Sequence, residues 1–254
     1  MLKVSHLSKS FGGVHAIEDV SFEIPRGGVY AVIGPNGAGK TTLFNLITGL
    51  YVPSAGSISL AGEEISGISS NILASRGLSR TFQNLQVCMN LSAVENVMVG
   101  AHLNLNSSLL AGMIRAPGLR QSDRACRMKA AELLTFVGCK KFVAADASAM
   151  PYGALKRLEI ARALAMEPKL LLLDEPAAGL NHTETHEIEE LIVRLAKSGI
   201  TVVLVEHDMR LVMSISERIL VLDHGKRLAE GTPDEIRINR DVIAAYLGSE
   251  VGET

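Results

Sequence analysis

The segment with the most specific chemistry is Gly34-Pro-Asn-Gly-Ala-Gly-Lys40-Thr41, which fits the pattern G-x-x-x-x-G-K-[S/T] in full. The apolar run Val29–Ile33 precedes it, and residues 41–47 continue with helical character. Glycines let successive backbone N–H groups turn inward around phosphate oxygens, and a following helix adds its positive N-terminal end. We therefore expect a phosphate-binding loop, with nucleotide contacts from Gly34, Asn36, Gly37, Ala38, Gly39, Lys40, Thr41 and Thr42.

The last two residues of the motif carry its charge and its metal chemistry. The Lys40 ammonium supplies a positive charge for the β- and γ-phosphates, and the Thr41 hydroxyl is a hard oxygen ligand for Mg²⁺. A glycine-rich structural turn is the simpler alternative, but it leaves this Lys-Thr pair unexplained. The motif predicts ATP and Mg²⁺ as ligands.

A second chemical feature is the apolar run Leu170-Leu-Leu-Leu followed by Asp174, Glu175 and Pro176. In a parallel sheet, ligands bind beyond the carboxyl ends of the strands, so these two carboxylates are expected near the phosphate loop. Asp174 is predicted to hold Mg²⁺ through water, and Glu175 to orient or deprotonate an attacking water. Alone, such a strand end more often forms a solvated turn, and the phosphate loop is what favours the catalytic interpretation.

The surrounding pattern predicts an α/β fold that positions these residues. The first third is rich in short strands, and residues 170–173 and 200–205 are buried-strand runs separated by a helical stretch, 183–197, which indicates a parallel βαβ unit. Amphipathic periodicity at 122–137 and 154–165 predicts a helical middle, and the tail, 232–247, reads as two short helices. We expect one domain over 1–254, with a core of 1–83 and 165–254 and a helical lobe at 84–164.

Composition excludes several classes of function. The net charge is −2 and the pI about 6.4, which is unlike the basic field of a nucleic-acid binder. Three cysteines form no CxxC pair, as in a reduced cytosolic protein. The most apolar long stretch, 97–114, is interrupted by polar residues and is not expected to span a membrane. Any membrane role is therefore expected to come through a partner.

Together these motifs resemble the ATP-binding-cassette (ABC) ATPase family, nearly from end to end. The resemblance implies that Phe11 in Ser-Lys-Ser-Phe-Gly-Gly stacks on adenine, and that Gln83 in Arg-Thr-Phe-Gln meets Mg²⁺ and senses the γ-phosphate. It implies that Ala177-Ala-Gly-Leu-Asn181 crosses a dimer interface as the D-loop. His207 in Val-Glu-His-Asp matches the switch histidine, so Glu175, His207 and Lys40 are the predicted catalytic residues.

The signature motif departs from the family sequence Leu-Ser-Gly-Gly-Gln, because the chain has Met150-Pro151-Tyr152-Gly153-Ala154. In the family this loop caps the ATP of the opposite subunit, so Pro151, Tyr152 and Gly153 are expected at nucleotide. Pro151 lacks both a hydroxyl and a backbone donor, and each lost hydrogen bond to a charged group is worth about 1.5–3 kcal/mol. We expect a weakened but usable site, with one-sided hydrolysis in a heterodimer as the alternative.

Within the family, stretches such as Thr81-Phe-Gln-Asn and Glu206-His-Asp-Met209 are most similar to the ATPases of branched-chain or hydrophobic amino-acid importers. The resemblance implies a peripheral subunit at the cytoplasmic face of the cell membrane. Its implied partners are membrane-spanning permease subunits, a second ATPase subunit in a homo- or heterodimer and, indirectly, a periplasmic or extracellular binding protein. Urea or amide import, lipopolysaccharide export, a soluble non-transport ATPase and a non-hydrolysing scaffold are alternatives.

Overall fold

The computed structural model of the chain describes residues 1–101 and 117–250, and it divides into two units. The first unit comprises Met1–Arg80 and Lys169–Thr254, and the second comprises Thr81–Pro168. The domain boundaries predicted from the sequence, with a helical lobe at 84–164, stay a prediction.

The strands and helices include the elements that the sequence pattern predicts, together with strands at Arg218–Asp223 and Lys226–Gly231 that it does not predict. The strands are β1 (Leu2–Phe11), β2 (Val14–Ile24), β3 (Val29–Ile33), β4 (Ala55–Leu60), β5 (Glu63–Glu64), β6 (Leu78–Arg80), β7 (Leu170–Asp174), β8 (Thr201–Val205), β9 (Arg218–Asp223) and β10 (Lys226–Gly231). The α-helices of the described residues are α1 (Lys40–Ile47), α2 (Ser70–Ser75), α3 (Ala93–Gly100), α4 (Pro117–Phe136), α5 (Tyr152–Leu164), α6 (His182–Lys197), α7 (Met209–Ile215), α8 (Pro233–Arg237) and α9 (Arg240–Glu250).

The first unit contains two sheets. One is antiparallel, with the order β2-β1-β4-β5. The other has the order β10-β9-β3-β8-β7-β6, and all of its neighbours pair in parallel except β9 and β10. Every residue of β3, β7 and β8 is buried, as expected for parallel strands that are covered on both faces. The predicted α/β fold, with a mostly parallel core sheet and an antiparallel part, is confirmed.

One hydrophobic core joins the two sheets and α1. Leu7 and Ile17 enter it from the antiparallel sheet, Phe44 from α1, and Leu172 and Val203 from the parallel sheet. All five side chains are essentially removed from water, and each such burial stabilises the fold by roughly 1.5–3 kcal/mol. Because α1 is packed into this core, the phosphate loop before it has a rigid support.

The second unit is helical among its described residues. Helix α3 begins at a capping box, in which Ser92 accepts from the Glu95 N–H while Glu95 accepts from the Ser92 N–H. Helices α4 and α5 confirm the predicted helices at 122–137 and 154–165, and Leu134 and Leu158 are buried on them. Part of the apolar stretch 97–114 lies outside the described residues. No helix in the described part of the chain is long and apolar enough to cross a membrane.

Candidate active site

The phosphate loop connects the buried strand β3 to α1. Gly37 and Gly39 have positive φ angles of 78° and 100°, which L-residues with a side chain rarely adopt. At Gly39 the backbone also passes close to its neighbours, since a Cβ there would lie 2.6 Å from the Ala16 carbonyl oxygen. The Ala38 carbonyl accepts from the Gly225 N–H at 3.1 Å, which ties the loop to the turn between β9 and β10. The loop is therefore held from two sides.

Lys40 is buried at the start of α1, and its ammonium group is directed into the loop. Its Nζ donates to the carbonyl oxygens of Gly34 at 2.6 Å and Pro35 at 3.0 Å. Burial lowers the pKa of Lys40, whereas the nearby carboxylates of Glu175 and Asp174 act in the opposite direction. A cation in this position fits a phosphate-binding site, because it lies beside the backbone N–H groups of the loop and the positive N-terminal end of α1.

Asp174 ends β7 and makes a buried ion pair that the sequence did not predict. Its Oδ2 accepts from Nη2 of Arg80 at 2.7 Å, and the two side chains are only 5% and 6% exposed. Nη1 of the same guanidinium donates to Oδ1 of Asn45 at 2.6 Å and to the Thr48 hydroxyl at 3.3 Å. Since Asn45 and Thr48 belong to α1 and its end, Arg80 connects the acidic strand end to the helix that follows the phosphate loop.

Glu175 and His207 lie within hydrogen-bond distance of each other. Nε2 of His207 is 3.1 Å from Oε1 of Glu175, and the imidazole side chain is about half exposed. The backbone of Glu175 has a φ of 50°, which is costly for a residue with a side chain and typical of functional sites. Its N–H donates to the Val205 carbonyl at 2.9 Å, so the strained residue is fixed to the end of β8. The two predicted catalytic residues are thus brought together just beyond β7 and β8.

Phe11, the predicted adenine contact, lies at the end of β1 with 43% of its surface exposed. Its ring packs edge-to-face against Tyr51 at a centroid distance of 5.2 Å, and Nζ of Lys9 lies 4.9 Å from its centre. An exposed aromatic face that neighbouring side chains orient is suited to stack on a flat ligand.

The remaining predicted site residues belong to the second unit, whereas Phe11, the phosphate loop, Asp174, Glu175 and His207 belong to the first. Gln83 is exposed. Pro151 is the N-cap of α5 with no side-chain cap, Tyr152 is 46% exposed, and Gly153 is buried. Pro151 and Tyr152 are thus exposed at the start of α5, whereas the next residues of its first turn, Gly153, Ala154 and Leu155, are buried.

Comparisons with known proteins decide the family. The family described as "ABC transporter" matches residues 17–178, and "Branched-chain amino acid ATP-binding cassette transporter" matches residues 226–252. This chain belongs to the ABC transporter ATPases.

Individual proteins agree with this assignment. The chain is 47% identical to the high-affinity branched-chain amino acid transport ATP-binding protein BraF of Pseudomonas aeruginosa, over 98% of each chain. It is also similar to the ADP conformation of MJ1267, an ATP-binding cassette of an ABC transporter, with a TM-score of 0.85 and 28% identity over 98% of each chain. A dimeric post-hydrolysis cassette, MJ0796 bound to ADP and Pi, has a TM-score of 0.77 at 26% identity, over 92% of this chain and 99% of that one.

Sequence reasoning missed two charged residues at this ABC ATPase site. Arg80 lies in the Arg-Thr-Phe-Gln segment that identified Gln83, and Glu206 directly precedes His207. Both are charged residues next to buried strand positions, since Ser79 and Val205 are buried. A charge inside or at the end of a buried strand needs a partner, and this requirement could have identified Arg80 and Glu206 from the sequence.

Proposed function

We propose that this chain binds and hydrolyses MgATP as the motor subunit of a membrane importer for branched-chain or other hydrophobic amino acids. The observation that carries the proposal is the 3.1 Å contact between Glu175 and His207, which follow β7 and β8 beside the buried Asp174. Lys40 lies close enough to both carboxylates for their charges to act on its pKa. These groups form the set that phosphoryl transfer to water requires.

Each residue has a distinct task in the proposed reaction. Lys40 and the backbone N–H groups of the phosphate loop bind the β- and γ-phosphates. Glu175 accepts a proton from the attacking water, and His207 holds the Glu175 carboxylate in position. The Thr41 hydroxyl and the Asp174 carboxylate are hard oxygen donors that fit Mg²⁺, with Gln83 as a further ligand. When bound, Mg²⁺ neutralises charge on the transferring phosphoryl group.

The proposed working form is a dimer with two composite sites. Phe11 stacks on the adenine of its own site, while Pro151, Tyr152 and Gly153 cap the nucleotide of the partner subunit. The exposed Tyr152 ring and the uncapped first turn of α5 support this arrangement, because the positive end of a helix binds anions. We favour a heterodimer with a second ATPase chain.

The proposed partners are membrane-spanning permease subunits, with the chain attached peripherally at the cytoplasmic face of the membrane. A binding protein on the other side acts on it only indirectly. The branched-chain amino acid substrate is supported by the name of the relative at 47% identity and by the match at residues 226–252. Transport of another small substrate by the same motor, such as urea, is tested by the experiment below.

The experiment is steady-state ATPase activity of the purified chain, alone and with its co-purifying membrane partners, against Glu175→Gln. We expect activity that rises with the partners and is lost in the variant, because the amide that replaces the Glu175 carboxylate cannot accept the proton from water. Uptake of leucine, isoleucine and urea is then measured in liposomes that contain the assembled transporter and ATP. ATP-dependent leucine uptake supports the amino-acid assignment, whereas urea uptake alone refutes it. Partner-independent activity that survives in Glu175→Gln refutes the motor function.

A further inference from the structure

Glu206 is a buried carboxylate to which none of the catalytic tasks above is assigned. It lies between Val205, the last residue of β8, and His207, and only 4% of its surface is exposed. Burial raises its pKa, whereas the hydrogen bonds from the backbone N–H groups of Ala177, His207 and Asp208 act in the opposite direction and favour the charged form. A neutral side chain of similar size would avoid the cost of burial. The hydrogen bonds of the carboxylate show which parts of the structure it stabilises.

The two carboxylate oxygens bind backbone groups of two different loops. Oε1 accepts from the Ala177 N–H at 2.7 Å, in the segment that follows Glu175. Oε2 accepts from the His207 N–H at 3.0 Å, and the Asp208 N–H also hydrogen-bonds to the carboxylate. One side chain therefore fixes the backbone next to Glu175 and the backbone of His207 at the same time.

These bonds close a ring through the two predicted catalytic residues. The Glu175 N–H is bound to the Val205 carbonyl, and two residues later the Ala177 N–H is bound to Glu206. The Glu175 and His207 side chains meet at 3.1 Å on the other side of the ring. Because the backbone of Glu175 is held at a positive φ of 50°, it needs support from surrounding contacts to keep this conformation.

Only a residue with two acceptor oxygens can bind the backbone N–H groups of both loops from position 206. An ionised carboxylate has two acceptor oxygens and no donor, so it satisfies N–H groups on both sides. A glutamine has nearly the same shape, but its NH₂ group would face one of the N–H groups as donor against donor. Such a change loses one anchor and leaves the packing volume almost unaltered.

We propose that Glu206 is a positioning residue for ATP hydrolysis, whose carboxylate holds the loops of Glu175 and His207 in the geometry that places the attacking water. This inference rests on the proposed function. It predicts that Glu206 affects the chemical step and leaves ATP binding nearly unchanged, because other contacts hold the phosphate loop. Gly225 binds the loop backbone, and Lys40 is bound to the carbonyl oxygens of Gly34 and Pro35.

The test compares steady-state kinetics of the full chain with its co-purifying membrane partners for wild type, Glu206→Gln and Glu235→Gln. Glu235 is a matched control, because its carboxylate also accepts a backbone N–H, that of Thr232 at 2.8 Å, in a capping box away from the catalytic loops. We expect Glu206→Gln to lower kcat about 10- to 100-fold, since small misplacements of catalytic groups cost up to about 100-fold. KM for ATP should stay within about threefold, and Glu235→Gln should match wild type.

A double variant separates positioning from a general loss of structure. Because part of the effect of Glu206 acts through His207, adding Glu206→Gln to His207→Ala should lower kcat by a smaller factor than Glu206→Gln does in the wild-type chain. Where Glu206→Gln does not fold, as judged by circular dichroism, Glu206→Asp takes its place. Its carboxylate is one methylene shorter and cannot reach both N–H groups, so the same split between kcat and KM is expected.

The outcomes distinguish this inference from the proposed function. If Glu175→Gln is inactive while Glu206→Gln keeps the wild-type kcat, the function stands and the role of Glu206 is refuted. A higher KM at unchanged kcat, or losses that multiply in the double variant, also refutes it. If wild type has no ATPase activity, or Glu175→Gln retains it, the proposed function fails and this inference falls with it.

Discussion

The buried ion pair between Arg80 and Asp174 gives the sharpest prediction about stability. Arg80→Met keeps an unbranched apolar chain in place of the arginine stem but removes the guanidinium that faces Asp174 at 2.7 Å. Removing one partner of a buried pair typically costs about 3–5 kcal/mol, because a buried charge is left uncompensated. The charge of Lys40 also acts on Asp174 and offsets part of this loss, so we expect a cost of about 3 kcal/mol.

Arg80→Lys should lower the free energy of unfolding by less than Arg80→Met, because it keeps the positive charge. The guanidinium of Arg80 bonds to Asp174 through one nitrogen and to Asn45 through the other. Arg80→Lys keeps the charge but loses this fork, so we expect a cost of about 1.5 kcal/mol, roughly one hydrogen bond. Arg80→Met combined with Asp174→Asn should cost less than the sum of the single variants, by about 0.5–3 kcal/mol, because it leaves no unpaired charge.

The assay is urea unfolding of the full chain at about pH 7, followed by circular dichroism, with the free energy extrapolated to water. Arg218→Met is the matched control, since Arg218 pairs with Glu230 at 3.2 Å but its side chain is 46% exposed. Because Arg218 is half exposed and Arg227 also pairs with Glu230 at 2.9 Å, this control should unfold within about 1 kcal/mol of wild type. The reasoning is wrong if Arg80→Met costs no more than Arg218→Met, or if the single losses add in the double variant.

Three further predictions concern the phosphate loop, the second unit and the signature. Gly39→Ala should lower the free energy of unfolding by well over about 2 kcal/mol, because it combines a φ of 100° with a clash of the new Cβ. Gly37→Ala should lower it by only about 1–2 kcal/mol, because a Cβ there meets no atom within 4 Å. Equal losses in urea unfolding would contradict this. Burial raises the pKa of Glu159, so stability from this group is present below its ordinary pKa of about 4.3 and is lost as pH rises through the raised value. Relative to Glu159→Gln, wild type should therefore lose up to about 1.4 kcal/mol per pH unit between about pH 4.3 and the raised pKa of Glu159, and no further above it; parallel unfolding curves would refute this. Pro151→Ser should raise the ATPase rate of the assembled transporter, because it restores a hydroxyl and a backbone donor; an unchanged rate would show that the Pro151 departure has no effect on hydrolysis.

Local sequence determined the parts of this protein that depend on neighbouring residues. The phosphate loop could be predicted because its glycines, Lys40 and Thr41 are contiguous in the sequence. The strand β3 has the predicted bounds because a short apolar run before a glycine-rich turn strongly favours a buried strand. The order of strands and helices after Lys169 predicted the parallel sheet for a similar reason, since a βαβ connection is defined along the chain. The roles assigned to Gln83 and to the signature residues stay predictions.

Only the tertiary structure decided which distant residues meet. Arg80 and Asp174 are separated by 94 positions, and Ala177 and Glu206 by 29, so no periodicity along the chain relates them. Their pairing follows from the strand order, which sets β6 beside β7 and β7 beside β8 and so aligns the carboxyl ends of these strands. A charge at a buried strand end can be recognised in the sequence as one that needs a partner. The identity of that partner depends on which strands pair, and this is fixed by packing of the whole core.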